Sequence, residues 1–511
     1  MPIASESVSL FNKELDSLMC PKLGCPMKPM KQTLKLARFR ALLLLVGVIP
    51  LMGALFGVSR AALGEGGEPR YFAITNARIV PVSGPAIEGG TVVIAKGLIQ
   101  AVGASATIPP EAWVIDGKGL TVYPGLIDAG TNIGLQEESA AAPPAAGGRG
   151  AARRAAPAGE IAHGPEDRPG TTPWRVAADE FKTDDKRIET WRNAGFTTVL
   201  TAPDGGIFPG QGSVVDLAGE RAGDFVVKPA ATLQVSFRPA GGFFGFPDSL
   251  MGTIAYIRQV LDDSSWYAQA EPIYDANPTK NQRIPYDRAE RVITQALRDK
   301  EAVILPANNS GQILRALRLA DEWKISAVLY GVQQGYAVAD AIAAKQVPVI
   351  VTLKWPERPK DADPDAEQTL RDLRFRDRAP GTPAALAKAG VKYAFSSEGL
   401  TGPKDIFKNA KKAIDAGLAP DAALRAFTID AAAILGVGDR LGTIEPGKIA
   451  NLVVADGDIF NEKTKLKHVF VDGTWFEIHP EAVPPKPPHG GDEPKPMRAG
   501  RASTLESGVS R

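Results

Sequence analysis

Histidine and cysteine are scarce in this chain. Its 511 residues include only four histidines and two cysteines: His163, His468, His479, His489, Cys20 and Cys25. A catalytic zinc site usually takes two or three imidazole ligands, and a structural zinc site takes closely spaced cysteines and histidines. Neither pattern is present. Both cysteines lie near the start of the sequence, so the remainder of the chain has no disulfide framework.

An excess of charge of either sign is also missing. The net charge is +1, with 23% charged and 44% hydrophobic residues, which is ordinary for a soluble globular protein. We therefore expect no nucleic-acid partner and no attraction to an anionic membrane surface.

The N-terminal region has the pattern of an export signal. Four basic residues between Lys31 and Arg40 precede the apolar run Ala41 to Val58, and small residues follow at Ser59 and Ala61. This pattern predicts a leader over residues 1–61 that is cleaved near Ala61. The mature protein would then be periplasmic or extracellular, with no stable membrane span.

Two alternatives for this region stay open. The apolar run is about 18 residues long, close to the minimum for a membrane span, so it could remain as an anchor. Met30 is an alternative start to Met1, since it removes an atypically long leader.

Short β-strand patterns occupy both ends of the predicted mature chain. Residues 62–122 alternate apolar and polar residues between Gly and Pro turns, and residues 441–480 repeat this texture. Two β segments that flank a long middle region predict one discontinuous β-sandwich domain, built from both chain ends.

Strands alternate with helices across residues 123–440. Candidate strands begin near Gly125, Thr197, Ser213, Ala231, Ala302, Ser326, Pro348 and Lys392. Eight strands, most followed by a helical pattern, predict an α/β fold with a (β/α)₈ TIM-like barrel. The Ala-, Pro-, Gly- and Arg-rich segment 138–170 and the tail 481–511 have no apolar periodicity, so we predict that both are disordered.

The first predicted barrel strand carries a recognisable motif. The run from Pro124 to Asn132 reads Pro-Gly-Leu-Ile-Asp-Ala-Gly-Thr-Asn. It resembles the first barrel strand of the amidohydrolase superfamily, most closely the imidazolonepropionase-like branch, where the run ends Ala-His-x-His. The resemblance implies the same barrel and sandwich, and a divalent metal such as zinc held by the two histidines. Here Gly130 and Asn132 replace them.

The other metal positions of the family are replaced too. The resemblance places Gln234, Pro306 and Gly331 where the family has its bridging ligand and two further histidines, and Glu398 where it has an aspartate. Gly and Pro have no ligand side chain, and Asn and Gln are poor ligands for zinc. We therefore predict no bound metal and no other cofactor.

The polar residues at the predicted strand ends are the candidate site. Candidate ligand-lining residues are Asn132, Gln211, Gln234, Asn308 and Trp355. Glu398 is the candidate catalytic residue, either as a general base or as a carboxylate held by backbone N–H groups.

Three functions fit this sequence. The first is an exported, catalytically decayed amidohydrolase-like protein that acts as a binding or partner subunit. Its partner would be an intact member of the family or a second copy of itself, and it could bind a small molecule. The alternatives are a hydrolase of C–N bonds in cyclic amides or small peptides that uses an atypical site, and a solute-binding protein that uses the barrel mouth.

The leader yields the first testable prediction. N-terminal sequencing of the exported protein should give a mature chain that begins near Ala62. An intact leader in a membrane fraction would instead identify the apolar run as an anchor.

Overall fold

The computed structural model describes residues 71–135, 168–239, 246–358, 361, 363, 365 and 367–478. These residues belong to one compact unit, Pro69–Arg511. The predicted leader, the predicted tail and residues 138–167 of the predicted disordered segment lie outside the described residues. The sequence-based domain boundaries remain a prediction.

Both ends of the described chain meet in one eight-stranded sheet, the terminal sheet. Its strands are β1 (Tyr71–Ile79), β2 (Ile87–Ala95), β3 (Leu98–Gly103), β4 (Trp113–Asp116), β5 (Thr121–Pro124), β14 (Leu452–Ala455), β15 (Leu466–Val471) and β16 (Thr474–Glu477). The order is β16-β15-β14-β5-β1-β2-β3, and β4 pairs with β1. The chain ends join where β5 and β14 run antiparallel, with Val122 opposite Val454. The strands of both segments thus belong to one hydrogen-bonded sheet, and the β-sandwich remains a prediction.

The second sheet is a nearly closed eight-stranded barrel. Its strands are β6 (Leu126–Thr131), β7 (Phe196–Thr201), β8 (Gln211–Asp216), β9 (Val226–Gln234), β10 (Ala302–Pro306), β11 (Ala327–Gly331), β12 (Val349–Thr352) and β13 (Tyr393–Ser396). They follow one another in chain order around the barrel. Each of the eight predicted strands corresponds to one of them.

One barrel strand departs from the all-parallel prediction. Strand β8 runs antiparallel to both β7 and β9. Its connections, residues 202–210 and 217–225, contain only a short 3₁₀ turn at Ala222–Phe225. A parallel strand needs a crossover of a dozen or more residues, so connections this short leave only the antiparallel direction.

Eleven α-helices lie in the described residues, and most of them cover the barrel. They are α1 (Ala177–Glu180), α2 (Lys186–Asn193), α3 (Leu250–Ala276), α4 (Arg288–Arg298), α5 (Ser310–Trp323), α6 (Ala339–Lys345), α7 (Leu370–Arg378), α8 (Thr382–Lys388), α9 (Pro403–Asp415), α10 (Pro420–Ala426) and α11 (Ile429–Ile434). None of the helices described is both long enough and apolar enough to cross a membrane. Inside the barrel, Ile127, Val214 and Ile304 belong to a buried apolar cluster. The barrel is thus filled, and a ligand can approach only at its ends.

The structure corrects two details of the sequence-based assignment. Residues 421–435 have the periodicity of a single helix, which predicts one helix there, but the structure divides the segment into α10 and α11 at Thr428, whose φ of −133° and ψ of −100° are not helical. The end of the segment predicted to be disordered is held in place, because Arg168 forms ion pairs with Asp263, Asp287 and Glu290 at 2.9–3.1 Å.

A buried polar cluster joins the terminal sheet to the barrel. The Asn451 amide donates to Thr198 Oγ1 at 3.0 Å and to Asp216 Oδ1 at 2.8 Å, and its oxygen accepts from the backbone N–H of Asp472 at 2.7 Å. Burial raises the pKa of Asp216 to about 7, although the hydrogen bonds from Thr198 and Asn451 oppose the shift.

This cluster predicts how stability changes with pH. The pKa of Asp216 is about 7 in the folded protein, against an ordinary 3.8, so the folded state binds this proton more tightly. Stability should therefore fall as pH rises through that window. Asp216→Asn keeps the oxygen acceptor and cannot lose a proton. As pH rises, the free energy of unfolding of Asp216→Asn should increase relative to that of the wild type, by up to about 1.4 kcal/mol per pH unit.

Urea denaturation at several pH values between 5 and 8 measures this difference. Asp184→Asn, at an exposed carboxylate, is the matched control and should track the wild type. A pH-independent difference between Asp216→Asn and the wild type would contradict the prediction.

Candidate functional site

The site lies where the parallel barrel strands end, and Asp128 fixes its geometry. Asp128 on β6 is 1% exposed. Its carboxylate accepts from the backbone N–H groups of Ser397 at 3.0 Å and Gly130 at 3.2 Å, from Trp191 Nε1 at 3.3 Å, and from the Ser397 hydroxyl. Burial raises the pKa of Asp128 to about 6, and these hydrogen bonds oppose the shift. Because Ser397 follows β13, Asp128 ties the first barrel strand to the last.

The space next to Gly130 is filled by two hydroxyl groups. A Cβ atom at Gly130 would lie 2.7 Å from Tyr330 Oη and 2.8 Å from Ser396 Oγ, closer than Cβ contacts in proteins allow. The two hydroxyls lie 2.6 Å apart, and Ser396 Oγ donates to the Gly130 carbonyl at 2.8 Å. The ends of β6, β11 and β13 are therefore linked through Tyr330 and Ser396.

Gly331 is also in close contact with a neighbouring polar side chain, that of Asn308. A Cβ atom at Gly331 would lie only 1.8 Å from Asn308 Oδ1, and the φ of +95° at Gly331 is itself strained for other residues. Asn308 is exposed, and its backbone N–H donates to Gln312 Oε1 at 3.0 Å. Pro306, at the end of β10, pairs with Tyr330 in the sheet.

The remaining polar candidates at the mouth already have partners. Asn132 is exposed, and Arg187 donates to its side-chain oxygen at 2.7 Å and to its carbonyl at 3.1 Å. Arg187 also pairs with Asp185 at 2.8 Å. Gln234 Nε2 donates to Thr232 Oγ1 at 2.7 Å. The side chains of Asn132 and Gln234 are thus held by protein groups.

Glu398 is exposed and held through its backbone. Its N–H donates to Ser396 Oγ at 3.1 Å, and its carbonyl accepts from Thr352 Oγ1 at 3.2 Å. Burial, the Glu398 charge and a hydrogen bond to the Glu398 side chain raise the pKa of Tyr330 well above its usual value, so this phenol stays protonated.

Comparison with known proteins identifies the family. Residues 351–476 match the model of the amidohydrolase family. The crystal structure of an amidohydrolase from Thermotoga maritima superposes with a TM-score of 0.64 and 26% identity, covering 80% of this chain and 100% of that one. The chain belongs to the amidohydrolase superfamily.

A curated relative agrees with this assignment. Amidohydrolase tasK of Hapsidospora irregularis is 23% identical over 424 residues, which are 75% of this chain. The chain spans only 39% of the length of that protein.

The metal that the amidohydrolase superfamily implies does not fit the residues of this site. The described residues contain no group of three or more His, Cys, Asp or Glu side chains that could hold a metal ion. Tyr330 and Ser396 occupy the space that a side chain at Gly130 would need, and Asn308 does the same at Gly331. His468, the described histidine, lies in the terminal sheet, where its Nδ1 accepts from Trp475 Nε1 at 3.2 Å. The other three histidines lie outside the described residues.

Two of the predicted ligand-lining residues, Trp355 and Gln211, are buried. Trp355 is 5% exposed, and its indole N–H donates to the carbonyl of Asn409 on α9 at 2.9 Å. Gln211 is 8% exposed, and its amide donates to the carbonyl of Pro173 at 2.9 Å. Because both side chains are buried, their polar groups take backbone carbonyls as hydrogen-bond partners.

Sequence reasoning missed Tyr330, Ser396 and Ser397. They flank the positions it did examine, Gly331 and Glu398, and they look like ordinary strand residues. One signal was available. A glycine on the first strand leaves a space that a large side chain on another strand must fill, and Tyr330 is such a side chain at a neighbouring strand end.

The filled space at Gly130 gives a direct test. Gly130→Ala should lower the free energy of unfolding by about 1–3 kcal/mol, since its Cβ overlaps Tyr330 and Ser396. Gly223→Ala is the matched control, because a Cβ there meets no atom within 4 Å, and it should be nearly neutral. Chemical denaturation measures both, and equal effects would mean that the space is open.

Proposed function

We propose that this protein is a non-hydrolytic member of the amidohydrolase superfamily that binds a small polar ligand at the barrel mouth. One observation carries this proposal. The space that a metal-ligating side chain at Gly130 would need is taken by the hydrogen-bonded Tyr330 and Ser396.

The chemistry that remains is weak for hydrolysis. A bound cation lowers the pKa of its water to near 7, and without one the water is a poor nucleophile at neutral pH. Glu398 is an exposed carboxylate at these strand ends. As a lone general base it would contribute about 10²–10⁴-fold, well below the acceleration that amide hydrolysis requires.

The cellular setting is part of the same proposal. The basic start, apolar middle and small-residue exit of residues 31–61 support export to the periplasm or the extracellular space. There the protein would serve as a binding or partner subunit, either beside an intact family member or with a second copy of itself. The motif from Pro124 to Asn132 supports the imidazolonepropionase-like branch.

Family membership favours a second candidate, a hydrolase of C–N bonds. Such a hydrolase would have to activate its water with residues other than those at the matched metal positions. Glu398 would then act as the base, as it stands beside Tyr330 at the open end of the site.

Elemental analysis of the purified protein separates the two functions. We expect well under one zinc, manganese or iron per chain, and no hydrolysis of dihydroorotate, hydantoin or dipeptides. Glu398→Ala, measured beside the wild type, should change neither result. About one tightly held transition metal per chain, with turnover that Glu398→Ala abolishes, would establish the hydrolase instead.

A further inference from the structure

One face of helix α3 carries large apolar side chains that are open to solvent. Met251 is 82% exposed, Trp266 is 56% exposed and Ile273 is 63% exposed. With 3.6 residues per turn, these three positions lie within about 60° of one another around the helix axis. The buried residues Ile257 and Val260 lie on the opposite side of α3. Three large apolar side chains on one exposed helix face indicate an interaction surface.

A groove lies at the N-terminal half of this face, between α3 and α5. Its volume is about 660 Å³. It is lined by Arg315 of α5 and by both apolar and charged side chains of α3, among them Leu250, Met251, Ile254, Ala255 and Asp262. Protein interfaces often anchor a large aromatic side chain of one partner in a pocket of the other. The groove is thus a site for such an anchor.

The middle of the face carries two charges of opposite sign that are fixed in place. Arg258 pairs with Glu322 at 2.8 Å, and Trp323 Nε1 donates to Asp262 Oδ1 at 3.1 Å. Arg258 and Asp262 stand about one helical turn apart. Because their charges cancel, the face does not repel an identical face. Opposite charges on the two sides of an interface favour one orientation over others.

We propose that a second copy of this chain docks on this face, with the two α3 helices antiparallel and Trp266 of each copy in the groove of the other. The two-fold axis would pass between Arg258 and Gln259. Met251 and Trp266 lie about 11 Å along the helix to either side of that point, so each Trp266 meets the other copy's groove. Arg258 of one copy then lies within one turn of Asp262 of the other.

The features of the face favour a second copy over a different partner. The groove needs an exposed aromatic side chain, and Trp266 supplies one on the same helix face. The central charges of the face also complement themselves. The proposal rests on the partner role proposed above and selects a second copy as the partner.

Sedimentation velocity of the purified protein, from about 1 to 100 μM, tests this docking. We expect a mass that rises from one chain to two with concentration. Trp266→Glu would place a charge in the apolar part of the groove, so the dissociation constant of the dimer should rise about 30-fold or more. Trp113→Glu is the matched control, because Trp113 is also 56% exposed and lies on β4, away from α3. It should dimerise like the wild type.

A mixing experiment tests the antiparallel register. Met251→Lys should also be monomeric, since it places a charge at the groove. A mixture of Met251→Lys and Trp266→Glu should form dimers again. One contact between Trp266 and Met251 then remains intact, and the introduced lysine and glutamate face each other at the second contact. Both positions are exposed, so Met251→Lys keeps the proposal testable if Trp266→Glu fails to fold.

Three results would overturn the docking. They are a wild-type chain that stays monomeric up to about 100 μM, equal dissociation by Trp266→Glu and Trp113→Glu, and a mixture of the two monomeric variants that does not associate. Metal content and turnover are measured on the same samples. A metal-free, inactive monomer would overturn the docking alone, whereas a dimer with bound metal and turnover would overturn the non-hydrolytic function alone.

Discussion

The buried carboxylate of Asp128 is the interaction on which the site depends. The barrel sheet is hydrogen-bonded in order from β6 to β13, so its first and last strands are the two that a backbone ladder leaves apart. Asp128 bridges them through the backbone and side chain of Ser397, and it also accepts from the backbone N–H of Gly130. Each oxygen receives at least two donors, which offsets the penalty for burying a carboxylate. The positions of Ser396 and Glu398 follow from this bridge.

The residues near Asp128 show which contacts join the ends of the barrel strands in this chain. In the amidohydrolase superfamily a cation would join the strand ends through side-chain ligands. Here Tyr330 and Ser396 join β6, β11 and β13 with hydroxyl groups, while Asn308 covers Gly331. Hydrogen bonds of this kind are directional, so they fix the relative positions of these three strand ends.

Much of the fold could be predicted from sequence, because burial leaves a clear pattern. Apolar runs such as Leu126–Ile127 and Val349–Val351 marked all eight barrel strands. The direction of β8 was missed, although it follows from the short connections on either side of that strand. Within the site, Gly130 and Gly331 were recognised as poor ligands from their chemistry alone. The residues that fill the adjoining space, Tyr330 and Asn308, come from other strands, and one sequence without the fold does not reveal such pairings. The burial of Trp355 and Gln211 could not be predicted either, because a polar aromatic or amide at a strand end can face inward as easily as outward, and their role as ligand-lining residues stays a prediction.

The placement of β14 has a consequence for how the chain is synthesised. This strand lies between β5 and β15, so β5 has an open edge until residues 452–455 have emerged. More than three hundred residues separate the two partners, and closing so long a loop is slow compared with forming local contacts. The edge of β5 therefore stays unpaired until residues 452–455 have been synthesised. A nascent chain of this kind would depend on chaperones, and any premature stop beyond the barrel would release a product with an exposed sheet edge.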